Sequence, residues 1–188
     1  MGNMQVRGIA TAPIPVFIKN KFGDEAFSKW LGALSPEAKA VFSEVVFPHK
    51  WYPVTSIFVK PIQVMCDLFF NKDLKGSWEL GRFVAEQGVK GGAKLFFMVM
   101  SPHFLISKAS SIMSTYYSAG SIEIPEKGDK FTLVRISGFS DMDRVIEFNI
   151  GGWIERALEI TGCKEVSVKI TKSISQQSSC TEYRVSWK

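Results

Sequence analysis

A chain of 188 residues, 46% of them hydrophobic and 22% charged, can bury roughly 70% of its unfolded surface and needs neither metal nor disulfide staples to fold. That balance excludes a disordered chain, a collagen-like chain and a small disulfide scaffold. The formal charge of +5 comes from scattered lysines and arginines with no run of four, so no nucleic-acid partner is expected.

The first half reads as helical. Ile14, Phe17, Ile18 and Phe22 follow helical spacing, and Gly23 is a natural stop. Asp24 can cap a short helix carrying Phe27, Trp30 and Leu31. Ser35-Pro36-Glu37 starts another: serine caps, proline fits the first position, and glutamate suits the positive end of the dipole. That helix should carry Val41, Phe42 and Val45. Trp51-Tyr52-Pro53 opens a longer helical segment through Phe69, which Pro61 should kink or break. A helix over about 76–90 follows. The run Leu95 to Met100 is apolar all round and should be fully buried. Ser101-Pro102 then starts a helix that Gly120 ends.

The second half changes period. Ile122 and Ile124, then Phe131 and Leu133 after a turn at Glu126 to Asp129, alternate as a hairpin does. A long helix is expected over about 141–161. Ile146, Ile150, Trp153, Ala157 and Ile160 line one side; Glu147, Gly151, Glu155 and Glu159 recur on another, which should face water. Gly151-Gly152 in mid-helix implies close backbone packing or a bend. Val166, Val168 and Ile170, with Tyr183, Val185 and Trp187, alternate strictly with polar residues, as in an antiparallel hairpin with one face in the core. The fold class expected is α+β: one domain over 1–188, with a helical part over about 1–120 packed on a twisted antiparallel sheet, made of two hairpins joined by a long helix over about 121–188.

No catalytic constellation is present. His49 and His103 lack a second ligand at metal spacing, so no metal site is expected. No GxSxG occurs, and neither Gly88, Gly91 and Gly92 nor Gly151-Gly152 follows a strand as a phosphate loop must. Cys66, Cys163 and Cys180 are odd in number and have no CxxC, which points to reduced thiols in a cytoplasmic protein. The hairpin register would set Cys180 opposite Thr171 rather than Cys163. No signal peptide is read at the N-terminus, and the longest apolar run is far too short to span a bilayer. The 15 Phe, 5 Trp and 4 Tyr are enough to wall a ligand pocket. Cys66, Phe69, Phe96, Phe97, Tyr116 and Tyr117 are the candidate ligand-binding residues, with Cys66 a site where an acyl chain could attach. Trp51 and Tyr52 are candidates for a surface contact.

Leu34-Ser35-Pro36-Glu37, Trp51-Tyr52-Pro53, Tyr116-Tyr117-Ser118-Ala119-Gly120, the stretch Gly152 to Glu159, and the closing Cys180 to Trp187 strand occur in an order that resembles an uncharacterised domain family expanded as paralogues in myxobacteria and other deltaproteobacteria. That family is similar in fold to the vinyl-reductase domains, the haem-based nitric-oxide sensor domains and the small subunits of the TRAPP trafficking particles. The resemblance implies helices packed on an antiparallel sheet around an apolar ligand cavity. The haem sensors use a proximal histidine and a Tyr-x-Ser-x-Arg motif. Here Gly120 stands where that arginine would follow Tyr116-Tyr117-Ser118-Ala119, and His103 lies close upstream, so no cofactor, haem included, is expected. The leading expectation is a non-enzymatic sensory or regulatory module holding a small hydrophobic ligand or an acyl chain. The alternative is an interaction module that self-associates or binds a regulatory partner; a tetrapyrrole-related accessory or haem-binding domain stands third.

Overall fold

The computed structural model describes residues 4–88 and 100–188. It is an α+β fold, and the strands of its larger sheet are all antiparallel. A short strand β1 (Gln5–Arg7) leads into α1 (Gly8–Thr11), α2 (Pro13–Phe22), α3 (Asp24–Ala33) and α4 (Pro36–Phe42). The Ser35 hydroxyl caps α4 by accepting from the Ala38 N–H at 3.3 Å. This helix ends at Phe42, so Val45, expected on its buried stripe, stands 76% exposed.

Trp51–Pro53, expected to open a helix, is instead strand β2, paired antiparallel with β1 through Val6 and Tyr52. Local helix signals lose here because the N-terminal strand offers ladder hydrogen bonds that a helix start would leave unmade. One π-helical turn (Thr55–Val59) then runs into α5 (Lys60–Phe69). Pro61 therefore falls inside one continuous helical stretch over 54–69, and the π-helical turn directly before it is the break in regular α-helix expected of a proline that has no N–H to give. Its carbonyl accepts the buried Trp30 indole N–H at 2.9 Å.

The helix α6 (Lys75–Gly88) lies against the long helix of the second half. The apolar run Leu95 to Val99, including Phe96 and Phe97, falls outside the described residues. The single helix expected between Pro102 and Gly120 is two, α7 (Pro102–Ser107) and α8 (Ala109–Tyr116), with Lys108 between them.

The larger sheet holds β3 (Ser121–Gly128), β4 (Phe131–Ser137), β5 (Ser167–Lys172) and β6 (Thr181–Ser186), in the order β3-β4-β6-β5. The two hairpins thus join through β4 and β6, and α9 (Arg144–Ile160) connects them along the chain. The core face of β4 is not the one that carries the alternating Phe131 and Leu133. Thr132, Val134 and Ile136 are buried while Phe131 and Leu133 are half-buried. Pairing decides the phase: Thr132 opposes Val185 and Val134 opposes Tyr183, and paired residues share a face. The second hairpin is shifted by two residues from the expected register, with Val168 opposite Val185 and Ile170 opposite Tyr183. A bulge after Ile170 and a 3-10 turn at Ile174–Gln176 take up the difference.

Candidate functional site

The helix α9 has two faces with opposite character. The face expected to meet water is buried against α6 and the β5–β6 connection. A Cβ on Gly152 would collide with the Trp78 carbonyl, one on Gly81 with the Asn149 carbonyl, and one on Gly151 with the Trp78 ring. Gly152 therefore allows backbone contact and Gly151 makes room for the Trp78 ring, which is the close packing that stood beside a bend as the reading of this pair. Glu155 and Glu159 are used rather than solvated. Arg82 of α6 bridges both, at 2.9 Å to Glu159, and Arg156 joins Glu159 to Glu86 at 2.7 Å each.

Glu147 is fully buried. It accepts from the hydroxyls of Thr181, Ser173 and Ser175 at 2.6, 2.7 and 2.8 Å, and pairs with Arg144 at 3.1 Å. Burial alone would raise its pKa; the three hydroxyls and Arg144 outweigh burial and hold it below the usual carboxylate value.

The other face of α9 is apolar and gapped. Ile150, Trp153, Ile154 and Ala157 face Ile106 of α7 and Ile112 and Met113 of α8 across a cavity of about 100 Å³ that opens to the surface, with Val134 of the sheet as its floor. Tyr116 and Tyr117 also line it. Burial raises both phenols above their ordinary value, so both stay O–H donors at neutral pH. The Tyr117 ring meets Phe139 and Phe58 edge-on, with centroids 5.2 and 6.3 Å away.

Of the residues singled out from sequence, Tyr116 and Tyr117 thus line one cavity. Cys66 and Phe69 do not line it. Cys66 is 1% exposed on α5, and burial pushes its thiol up to about 11, so it carries no thiolate at neutral pH. Phe69 stacks on Phe22, with centroids 4.8 Å apart. Tyr52 is 5% exposed, and its hydroxyl accepts the Phe47 N–H at 3.2 Å, so it is not on the surface where a contact role would need it. Trp51 is half-buried under the Arg7 guanidinium. The α9 contributors, Ile150, Trp153 and Ala157, were legible as one helical stripe but read as core. Among the described residues no cluster could hold a metal ion, and no helix is long and apolar enough to cross a membrane.

No family model matches the sequence, and no curated protein matches it. Solved structures do. An H-NOX protein from S. oneidensis in the Fe(II)NO ligation state has a TM-score of 0.75 at 12% identity, over 97% of this chain and 99% of that one. The fold is that of the H-NOX domains. An unliganded Fe(II) H-NOX protein from K. algicida gives 0.72 at 11% identity, over 97% and 96%. A structure concerned with haem redox potential and porphyrin distortion gives 0.67 at 11%, over 96% and 99%. The nitric-oxide-sensor branch of the expected kinship therefore holds at the level of fold.

These neighbours overturn the expectation of no cofactor. The missing arginine and the place of His103 argue against haem on the motif alone, yet the H-NOX fold is one on which haem proteins are built. A short motif is a weak basis for exclusion, because a fold positions ligands through residues distant in sequence. The cavity walls are apolar, as the faces of a macrocycle are, but the cavity of about 100 Å³ is smaller than a macrocycle needs. His103 is exposed on α7 with its ring against Trp187, centroids 5.9 Å apart, and lies outside the cavity. The described lining offers iron the Met113 thioether and the phenols of Tyr116 and Tyr117; the thioether alone ligates without losing a proton.

Proposed function

We propose that this domain is a non-catalytic sensor that takes a flat apolar ligand, haem first among the candidates, between α8, α9 and the sheet. The observation that carries the reading is the apolar cavity on the free face of α9, set in a fold shared with haem-carrying H-NOX proteins. Ile150, Trp153 and Ile154 would hold one side of the ligand, Ile112 and Met113 the other, and haem would supply an iron centre for a diatomic gas. The cavity of about 100 Å³ is smaller than the roughly 300 Å³ at which small-molecule sites begin. Entry therefore moves α7 and α8 outward from α9, and that displacement is the signal.

Hemin titration of the purified protein tests this. A saturable one-to-one Soret shift is expected, lost in Ala109→Leu, which fills the cavity from α8, and changed in position in Met113→Ala. Unsaturable binding that Ala109→Leu leaves untouched would overturn the reading.

A further inference from the structure

Three buried side-chain atoms among the described residues have no hydrogen-bond partner: Arg7 Nε, Thr11 Oγ1 and Trp153 Nε1. Only Trp153 belongs to the lining of the cavity. An indole nitrogen is a donor and nothing else, and a buried donor without an acceptor costs more than most single contacts return. Tyr116 meets the Trp153 ring edge-on with centroids 6.3 Å apart; its oxygen is near enough to the indole N–H to oppose, in part, the burial that raises its pKa, but no full hydrogen bond to that N–H is completed. The Tyr116 hydroxyl, kept protonated by burial, is a second donor at the same wall. The rest of the wall is nearly all hydrocarbon: Ile106, Ile112, Ile150 and Ile154 surround the pair.

We propose that the ligand of this cavity carries a carbonyl or carboxyl oxygen, which the Trp153 indole N–H receives with the Tyr116 hydroxyl beside it. This rests on the cavity being a ligand site, and it narrows the ligand from any apolar molecule to one with a hydrogen-bond acceptor on its edge. A small aryl ketone and the carboxyl edge of a porphyrin share that chemistry. Trp153 is then a specificity-determining residue, since a pure hydrocarbon of the same shape leaves its N–H unpaired.

Two matched pairs of probes separate the possibilities in the full chain. Acetophenone and isopropylbenzene differ in a carbonyl oxygen; mesoporphyrin and etioporphyrin differ in carboxyl groups. The expected result is about tenfold tighter binding of at least one oxygen-bearing member over its partner, the size of one satisfied buried donor. That pair identifies the ligand's size, and Trp153→Phe removes its preference. In the wild-type protein the Trp153 indole N–H resonance should move with the oxygen-bearing probe and stay with the hydrocarbon, a readout that does not depend on the variant folding. If both members of each pair bind equally and the indole resonance is indifferent, the acceptor is refuted while the cavity stands as a ligand site. If none of the four binds, the cavity reading fails and the acceptor with it.

Discussion

The two faces of α9 differ in composition, one rich in glycine and glutamate and the other apolar, and they are built on different principles. Toward α6, glycines remove side chains so that backbones touch, and Arg82 and Arg156 tie the helices together across the rim. Toward α8, side chains remain but do not fill the space, and a buried indole N–H is left unpaired. Close packing without voids gives a single rigid arrangement, whereas a gap with an unsatisfied donor is a place prepared for something else. On the proposed function α9 is a fixed wall on one side and a receiving surface on the other.

The largest expected effect tests the fixed side. Gly152→Ala forces a methyl group into the Trp78 carbonyl and should cost about 3 kcal/mol of stability, as overpacking does, read by urea denaturation. A cost under half of that would mean that the helices can part easily, and the contrast would be broken.

Next comes Glu147→Gln, which keeps the shape but removes the charge that three hydroxyls and Arg144 address. A loss of about 2 kcal/mol is expected at neutral pH. The sign with pH follows from the depressed folded value. The carboxylate's contribution is complete above its ordinary 4.5 and is lost as pH falls through the lower folded pKa. Acid titrations of stability should therefore fall less steeply below about that value in the variant than in the wild type.

Arg82→Ala should be milder, about 1 kcal/mol and weaker in high salt, because the side chain is 31% exposed. The smallest effect sharpens the other face. Ala109→Leu, which adds carbons to an existing gap, should change stability by less than about 0.5 kcal/mol while abolishing ligand binding, since volume added to a void displaces nothing. A large loss there would show that the gap is smaller or stiffer than a receiving surface requires.

Much of the fold is readable from period alone. The helix at Pro13–Phe22 carries its own stop in Gly23 and the helix at Pro36–Phe42 its own cap in Ser35, and the sequences at Ser167–Lys172 and Thr181–Ser186 alternate as strands do. The core phase of β4 is not readable in this way, because Phe131 and Leu133 look more apolar than Thr132, and only the partner strand fixes which face is inward. Trp51–Pro53 fails for the same reason: its partner is more than forty residues away. At the candidate site Tyr116 and Tyr117 were visible as an aromatic pair. Cys66 and Phe69 carried a similar signal and lie elsewhere. A stripe of Ile150, Trp153 and Ala157 cannot say whether it meets a solid core or a gap.

Local chemistry by itself determined the helical character of most of the first half, the Ser35 cap of α4, and that the two hairpins flank one long helix. Those properties depend on residues within a few positions of one another. Only tertiary structure decided that the acidic stripe of α9 is buried, that the paired glycines meet Trp78, and that Trp153 faces an opening without an acceptor. Each of those facts belongs to a distance between elements far apart in the chain, and such a distance is set by how the faces pack, not by the order of the residues on any one of them.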